Sequence, residues 1–249
     1  MEVLESLFRW IHVVAGIVWI GHLYFFNWVN GPFAATMDGE TKKKVVPELM
    51  PRALYWFRWG AAFTWVTGVL LVLMVYYHTN LVFEGMQSGW GVASLVMIAM
   101  TFFGVFAYDA LYKGPLKDLQ RGFIGGVILA LVVVCLMAYW ADFSFRGYAI
   151  HLGAMFGTIM AFNVWFRIWP AQQKIITATK NGEAPDANLV ALAGLRSRHN
   201  TYMSVPLVFM MISQHATWAA NPFIVAAIVP IGWGLVYHLY DRAPKVKGF

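Results

Sequence analysis

Residues 122–141 read GFIGGVILALVVVCLMAYWA, an unbroken apolar run without a single charge. At ~1.5 Å of rise per residue such a helix reaches ~30 Å, the depth of a bilayer's hydrocarbon core. Six more runs of comparable character flank it, at roughly 6–30, 55–77, 90–112, 148–170, 201–219 and 222–240. No period-2 alternation competes with them, which excludes a transmembrane barrel. The hydrophilic stretches are 31–54, 78–89, 113–121, 142–147, 171–200 and the tail from 241.

Composition agrees. The chain is 60% hydrophobic and only 12% charged, against about 25% charged in soluble domains. Its 12 Trp, 11 Tyr and 19 Phe suit interfacial aromatic belts and packing inside a bundle. The expected fold is all-α: a polytopic membrane helix bundle of about seven transmembrane helices, one domain over 1–249. The lipid bilayer is its solvent. The net charge of +6 is spread between apolar runs rather than clustered on a soluble face, so no nucleic-acid partner is expected.

Basic residues set the orientation. Lys42, Lys43, Lys44, Arg52 and Arg58 fall in one connection, Lys113, Lys117 and Arg121 in another, and Arg167, Lys174, Lys180, Arg196 and Arg198 in a third. Arg242, Lys245 and Lys247 follow in the tail. Seven alternating crossings put all of them on one side, with Arg9 and Arg146 opposite. The positive-inside rule then places the N-terminus outside and the C-terminus in the cytoplasm. The start, MEVLESLFRW, lacks the basic region of a cleavable signal. The segment 171–200 is the long cytoplasmic loop; Asn181-Gly182 and Pro185 mark a turn in it, and Asp186 is placed to cap a short interfacial helix over 187–198.

Helix 1, FRWIHVVAGIVWIGHLYFFNW (8–28), and helix 5, FRGYAIHLGAMFGTIMAFNVW (145–165), echo one another. Each begins Phe-Arg, carries a histidine a few residues in, is rich in small residues and ends on an Asn near a Trp.

Histidines at membrane depth are functional candidates. His12, His151 and His215 lie ~5–9 Å below the outer face, with His78 at its rim; His22 and His238 lie ~24 Å down. Facing imidazoles on separate helices hold a b-type haem: each gives an axial bond while its other nitrogen is fixed by an acceptor. One or two haems are expected, with His12 paired to His215 or His151 in the outer layer and His22 to His238 in the inner. Ala15, Gly16, Gly21, Gly153 and Gly157 would let a flat macrocycle approach the backbone. Singly, each histidine is as well read as an interhelical hydrogen bonder. Copper, with Met100, Met155, Met203, Met210 and Met211 as soft ligands, is a weaker metal reading because methionine mostly fills cores. A permease is disfavoured by the scarcity of Asp and Glu within the runs. At the inner face Arg198, His199 and Asn200 could bind a planar anion, with Asn27, Asn163, Arg167 and Arg196 nearby; the plainer reading is topology anchors and helix caps.

The runs WIHVVAGIVWIGHLYFFNWVNGPFA (10–34) and SRHNTYMSVPLVFMMISQH (197–215) resemble the membrane part of bacterial membrane-bound urate oxidases. The first alone, with its His12–Trp19–Gly21 spacing, also looks like the first helix of membrane protoporphyrinogen oxidases and copper-resistance proteins. The resemblance implies oxidation of urate toward 5-hydroxyisourate, with electrons passed to a cytochrome c or other acceptor on the outer face. In that family a cytochrome c domain follows the membrane part. This chain has no CxxCH and stops at Phe249, so either a separate carrier is the acceptor or the chain is a truncated form. The alternative is a non-enzymatic cytochrome b that passes electrons within a larger membrane complex.

Overall fold

The computed structural model describes residues 2–84 and 90–248, the side chain of Leu119 excepted. It is helical, and the described residues contain no strand, only an isolated bridge between Phe83 and Phe143. In chain order the helices are α1 (Glu2–Tyr24), α2 (Gly31–Thr36), α3 (Gly39–Leu71), α4 (Val92–Lys113), α5 (Leu119–Tyr139), α6 (Phe145–Asn163), α7 (Trp169–Asn181), α8 (Ala187–Ile212) and α9 (Pro222–Arg242). Three π turns, Phe25–Asn30, Val72–Tyr77 and Val164–Ile168, extend α1, α3 and α6 without a break.

Six continuous spans among the described residues are long and apolar enough to cross a membrane: Glu2–Thr36, Gly39–Tyr77, Val92–Lys113, Gln120–Tyr139, Phe145–Asn181 and Pro222–Lys245. The chain is therefore a multi-pass membrane protein. The run 201–219 behaves differently from expectation. Its first part continues the helix expected over 187–198, so the two fuse into the 26-residue α8. Arg196, Arg198, His199 and Asn200 near the middle of α8 dilute its hydropathy. The helix then stops at Ile212 and passes into two 3-10 turns, Ser213–His215 and Thr217–Ala219.

Local chemistry sets the other boundaries. Asp38 Oδ1 accepts from Thr41 N at 2.7 Å and starts α3 at Gly39, so much of the hydrophilic stretch 31–54 is helical. Asp118 caps α5 by accepting from Arg121 N at 3.0 Å. Gly182, with φ of +76°, ends α7 at the expected Asn181-Gly182 turn. Asp186 accepts from Asn188 N at 2.8 Å where α8 begins. Residues 85–89 of the expected connection 78–89 lie outside the described residues.

Packing divides the chain into two compact units. One holds Met1–Ser6, Gly68–Ile159 and Met203–Gly234. In it, the segment after α3 returns to the start of α6: Ser144 N donates to Val82 O at 2.7 Å and Ser144 Oγ to Leu81 O at 2.7 Å. Gly147 makes this approach possible, since a Cβ there would lie 2.2 Å from Val82 O. Gly153 of α6 meets Met210 of α8, where a Cβ would come within 3.0 Å of the Met210 Cβ.

The other unit holds Leu7–Thr67, Met160–Tyr202 and Leu235–Phe249. Its α1 and α3 pack along a close seam. A Cβ on Gly60 would lie 3.0 Å from Trp19 N and 3.3 Å from Ala15 O, so the backbones nearly touch. Phe26 meets Phe57 edge-on at 5.3 Å along the same seam. Ala15, and Gly16 opposite Thr64, thus serve helix packing, whereas Gly21 has open space around it.

Candidate functional site

The five candidate axial histidines fall into three situations. His12 sits on the seam, half-buried, with Nδ1 2.9 Å from Thr64 O and 3.2 Å from Thr67 Oγ1 of α3. The carbonyl can only accept, so Nδ1 carries the proton and Nε2 is left as the basic nitrogen. Thr67 itself donates to Phe63 O at 2.6 Å, which fixes the hydroxyl. His22, ten residues on, has Nδ1 2.7 Å from Val18 O, so it too holds its proton on Nδ1 and leaves Nε2 unprotonated. Metal-binding histidines characteristically have this arrangement: one nitrogen orients on a carbonyl and the other is left basic.

His151 of α6 differs. It is fully buried, with Nδ1 on Gly147 O at 2.7 Å and Nε2 on the Tyr77 hydroxyl at 2.8 Å. Tyr77 also stacks on it at 5.6 Å, and Phe143 packs at 4.8 Å. Both ring nitrogens are engaged, with Nδ1–H donating to the carbonyl and Nε2 accepting from the phenol. The π turn Val72–Tyr77 ends on this tyrosine, and such one-residue expansions re-aim side chains in ways that a 3.6-residue count misses. His215, in its 3-10 turn, and His238 of α9 are exposed. Neither unit brings two of the five into hydrogen-bond or ring contact among the described residues, and no cluster of three His, Cys, Asp or Glu forms there.

The second constellation lies on α8. Asn200 is fully buried and spent on structure: its Nδ2 donates to Met160 O at 3.0 Å, and its Oδ1 accepts from Asn163 Nδ2 at 2.9 Å. One helical turn earlier, Ser197 Oγ accepts from Asn27 Nδ2 at 2.8 Å. Asn27 also donates to Leu23 O at 2.8 Å and accepts from the Tyr240 hydroxyl at 2.8 Å. Asn27 and Asn163 thus clasp the same face of α8 at positions three apart. Asn27 lies within the π turn Phe25–Asn30, and Asn163 immediately precedes the π turn Val164–Ile168.

Around this clasp, Arg198 places its guanidinium 5.1 Å from the centre of the Tyr240 ring, and Tyr202 stacks on Tyr240 at 5.9 Å with planes 21° apart. Arg196 is 1% exposed, the largest fully buried side chain among the described residues. His199 lies between the two arginines in sequence and is half-buried. Burial pushes its imidazole down to about 4, and the positive fields of Arg196 and Arg198 push the same way. At neutral pH the group is uncharged beside two cations. Tyr240 and Tyr202 gave no signal in the sequence; Tyr240 looks like any interfacial tyrosine, as does Tyr237 nearby, which is 70% exposed.

The sequence matches the urate oxidase N-terminal family over residues 1–247. The chain belongs to that family. The match takes in both the α1 histidines and the Arg196–Asn200 segment of α8. Neither the curated proteins nor the solved structures gave a match.

Proposed function

We propose that this member of the urate oxidase N-terminal family is a haem b-containing membrane oxidoreductase. It oxidises urate toward 5-hydroxyisourate and passes the electrons to a cytochrome c or similar carrier. Beyond the family match, one observation carries the reading: His12 and His22 both hold their Nδ1 proton on a backbone carbonyl and leave Nε2 free of hydrogen bonds among the described residues. These residues fit axial ligation, whereas His151, with both nitrogens engaged, does not fit it without losing its tyrosine. Within one unit this leaves His22 with His238 as a pair. A bound haem supplies a one-electron acceptor, and two such electrons complete the oxidation.

The remaining chemistry belongs to α8. Urate is a planar anion; Arg198 supplies charge and Tyr202 and Tyr240 supply flat apolar faces. Two electrons and two protons leave the substrate and water adds to the ring. His199, neutral in the free protein, is able to receive a proton. An anion at Arg198 offsets part of the positive field that adds to burial in depressing its basicity, so substrate binding itself strengthens the base. Asn200 positions α8 rather than touching the substrate. With α8 as a seventh crossing, the basic connections support a topology with the Arg198 end in the cytoplasm of a bacterial inner membrane, the N-terminus outside and the acceptor on the outer face.

The test is spectroscopic. The purified protein is expected to carry b-type haem whose bands become reduced when urate is added without oxygen. His12→Ala and His22→Ala each lose haem by pyridine haemochrome assay, and His151→Ala keeps it. Haem that stays oxidised with urate would remove the enzymatic reading and leave an electron-transfer cytochrome b; a protein without haem would remove both.

A further inference from the structure

Arg58 of α3 carries a guanidinium packed among aromatic rings on three sides, and the proposed chemistry does not use it. Its Cζ lies 3.9 Å from the centre of the Trp169 ring, 5.8 Å from Trp165 and 5.9 Å from Tyr55. Trp165 Nε1 donates to the Arg58 carbonyl at 3.1 Å, which pins the indole beside it. The Nε of Arg58 is buried and unpartnered, and its guanidinium makes no hydrogen bond or ion pair among the described residues. A cation held on rings in a low-dielectric belt gains from the aromatic faces, yet its in-plane donors still call for an acceptor, and an anion satisfies them bidentately.

The same rings border a cavity. A groove of about 590 Å³ runs along the outer surface of α1 and α3, lined by Val14, Val18, Tyr55, Trp56, Trp59 and Phe63 among others. Its lining is almost wholly apolar. Tyr55 and Trp59 belong both to the groove and to the Arg58 cluster, since Trp59 meets Trp165 edge-on at 5.6 Å. From Tyr55 to Phe63 the groove follows α3 for ~12 Å. A bare cation at one end of an apolar trough in a membrane protein has the polarity of one amphiphile.

We infer that this groove is a specific binding site for an anionic phospholipid, with the phosphate on the edge of Arg58 and an acyl chain along α1 and α3. Charge complementarity selects the head: a zwitterionic lipid brings its own ammonium to a site already cationic, whereas a phosphatidylglycerol brings net negative charge. Trp and Tyr side chains such as those around Arg58 are enriched at the level of lipid headgroups.

The experiment uses the full chain reconstituted in nanodiscs of phosphatidylcholine containing a minority of phosphatidylglycerol, re-extracted in mild detergent and washed. Retained lipid is read by native mass spectrometry. Phosphatidylglycerol is expected to remain over phosphatidylcholine by about tenfold relative to its share of the disc. Arg58→Gln loses that preference. Val14→Trp, on the lipid-facing surface where it cannot disturb the core, fills the groove and loses the lipid with Arg58 intact. Equal retention of the two lipids, unchanged retention in both variants, or displacement of the lipid by inorganic phosphate alone overturns the proposal.

Discussion

Gly60→Ala tests the seam on which His12 depends. The added Cβ falls 3.0 Å from Trp19 N, 3.2 Å from Trp19 Cα and 3.3 Å from Ala15 O. All three are backbone atoms of α1, so no side chain can rotate away. Relief to an ordinary contact of about 3.5 Å needs α1 and α3 to part by ~0.5 Å. The His12 Nδ1–Thr64 O hydrogen bond starts at 2.9 Å, so the same movement stretches it to ~3.4 Å, past the usual limit for N–H···O. Overpacking costs about 1–3 kcal/mol and the weakened bond about 1 more. Replacing a mid-helix glycine returns about 1 kcal/mol of helix propensity. The net loss is therefore about 1–3 kcal/mol, read from reversible unfolding in mixed micelles by far-ultraviolet circular dichroism. Gly21→Ala is the matched control, because nothing lies within 4 Å of its Cβ; it is expected to be neutral or stabilising. If Gly60→Ala unfolds at the same denaturant concentration as Gly21→Ala, the α1–α3 contact is not as close as described and the fixed orientation of His12 loses its support.

Two further outcomes follow from α8. Asn200→Ala removes the amide that accepts from Asn163 Nδ2 and donates to Met160 O; it is expected to destabilise the protein by about 1–3 kcal/mol and, because the same clasp sets the rotation of α8, to raise the KM for urate, measured once its folded fraction is matched. His199 binds its proton at about 4 in the folded protein against an ordinary 6.5. Between those values the unfolded chain takes up a proton that the folded one refuses, so stability falls as pH drops from about 6.5 toward about 4. Unfolding midpoints at pH 7 and pH 5 are expected to differ more in the parent than in His199→Gln; an equal difference in both places the acid sensitivity elsewhere.

The crossings were legible because length and hydropathy alone decide them: six spans match six of the seven apolar runs. The caps at Asp186 and the turn at Gly182 were legible from residue type. The course of α8 was not. Arg196, Arg198 and His199 read as a hydrophilic connection because composition scores a residue by its chemistry, not by what surrounds it. In the fold Arg196 is buried at 1% exposure inside a continuous helix. The fate of His151 was equally hidden. Its partner Tyr77 comes from the end of a π turn, and its carbonyl from Gly147 on its own helix. Small residues misled for a different reason. The same Ala15 and Gly16 that would admit a macrocycle also admit a neighbouring helix, and in this fold they face α3.

The weak echo between helices 1 and 5 acquires physical content from the clasp on α8. In both, an asparagine sits at a π turn, and in both a proline follows at the second position of the next helix, Pro32 in α2 and Pro170 in α7. A π turn releases one backbone hydrogen bond and widens the helix locally, which lets a short amide side chain reach a neighbour. The proline costs nothing where its missing N–H falls in the widened turn. The two asparagines then take Ser197 and Asn200, three residues apart on one face of α8. This fixes the rotation of α8 about its own axis, and with it the direction in which Arg198 and His199 project. The shared feature of the two helices is thus a device for setting the register of α8, the helix that carries the proposed urate site. It follows that Asn27→Ala and Asn163→Ala act on the same degree of freedom, and their combined effect on urate affinity should fall short of the sum of the two; strict additivity would show that the two clasps orient α8 independently.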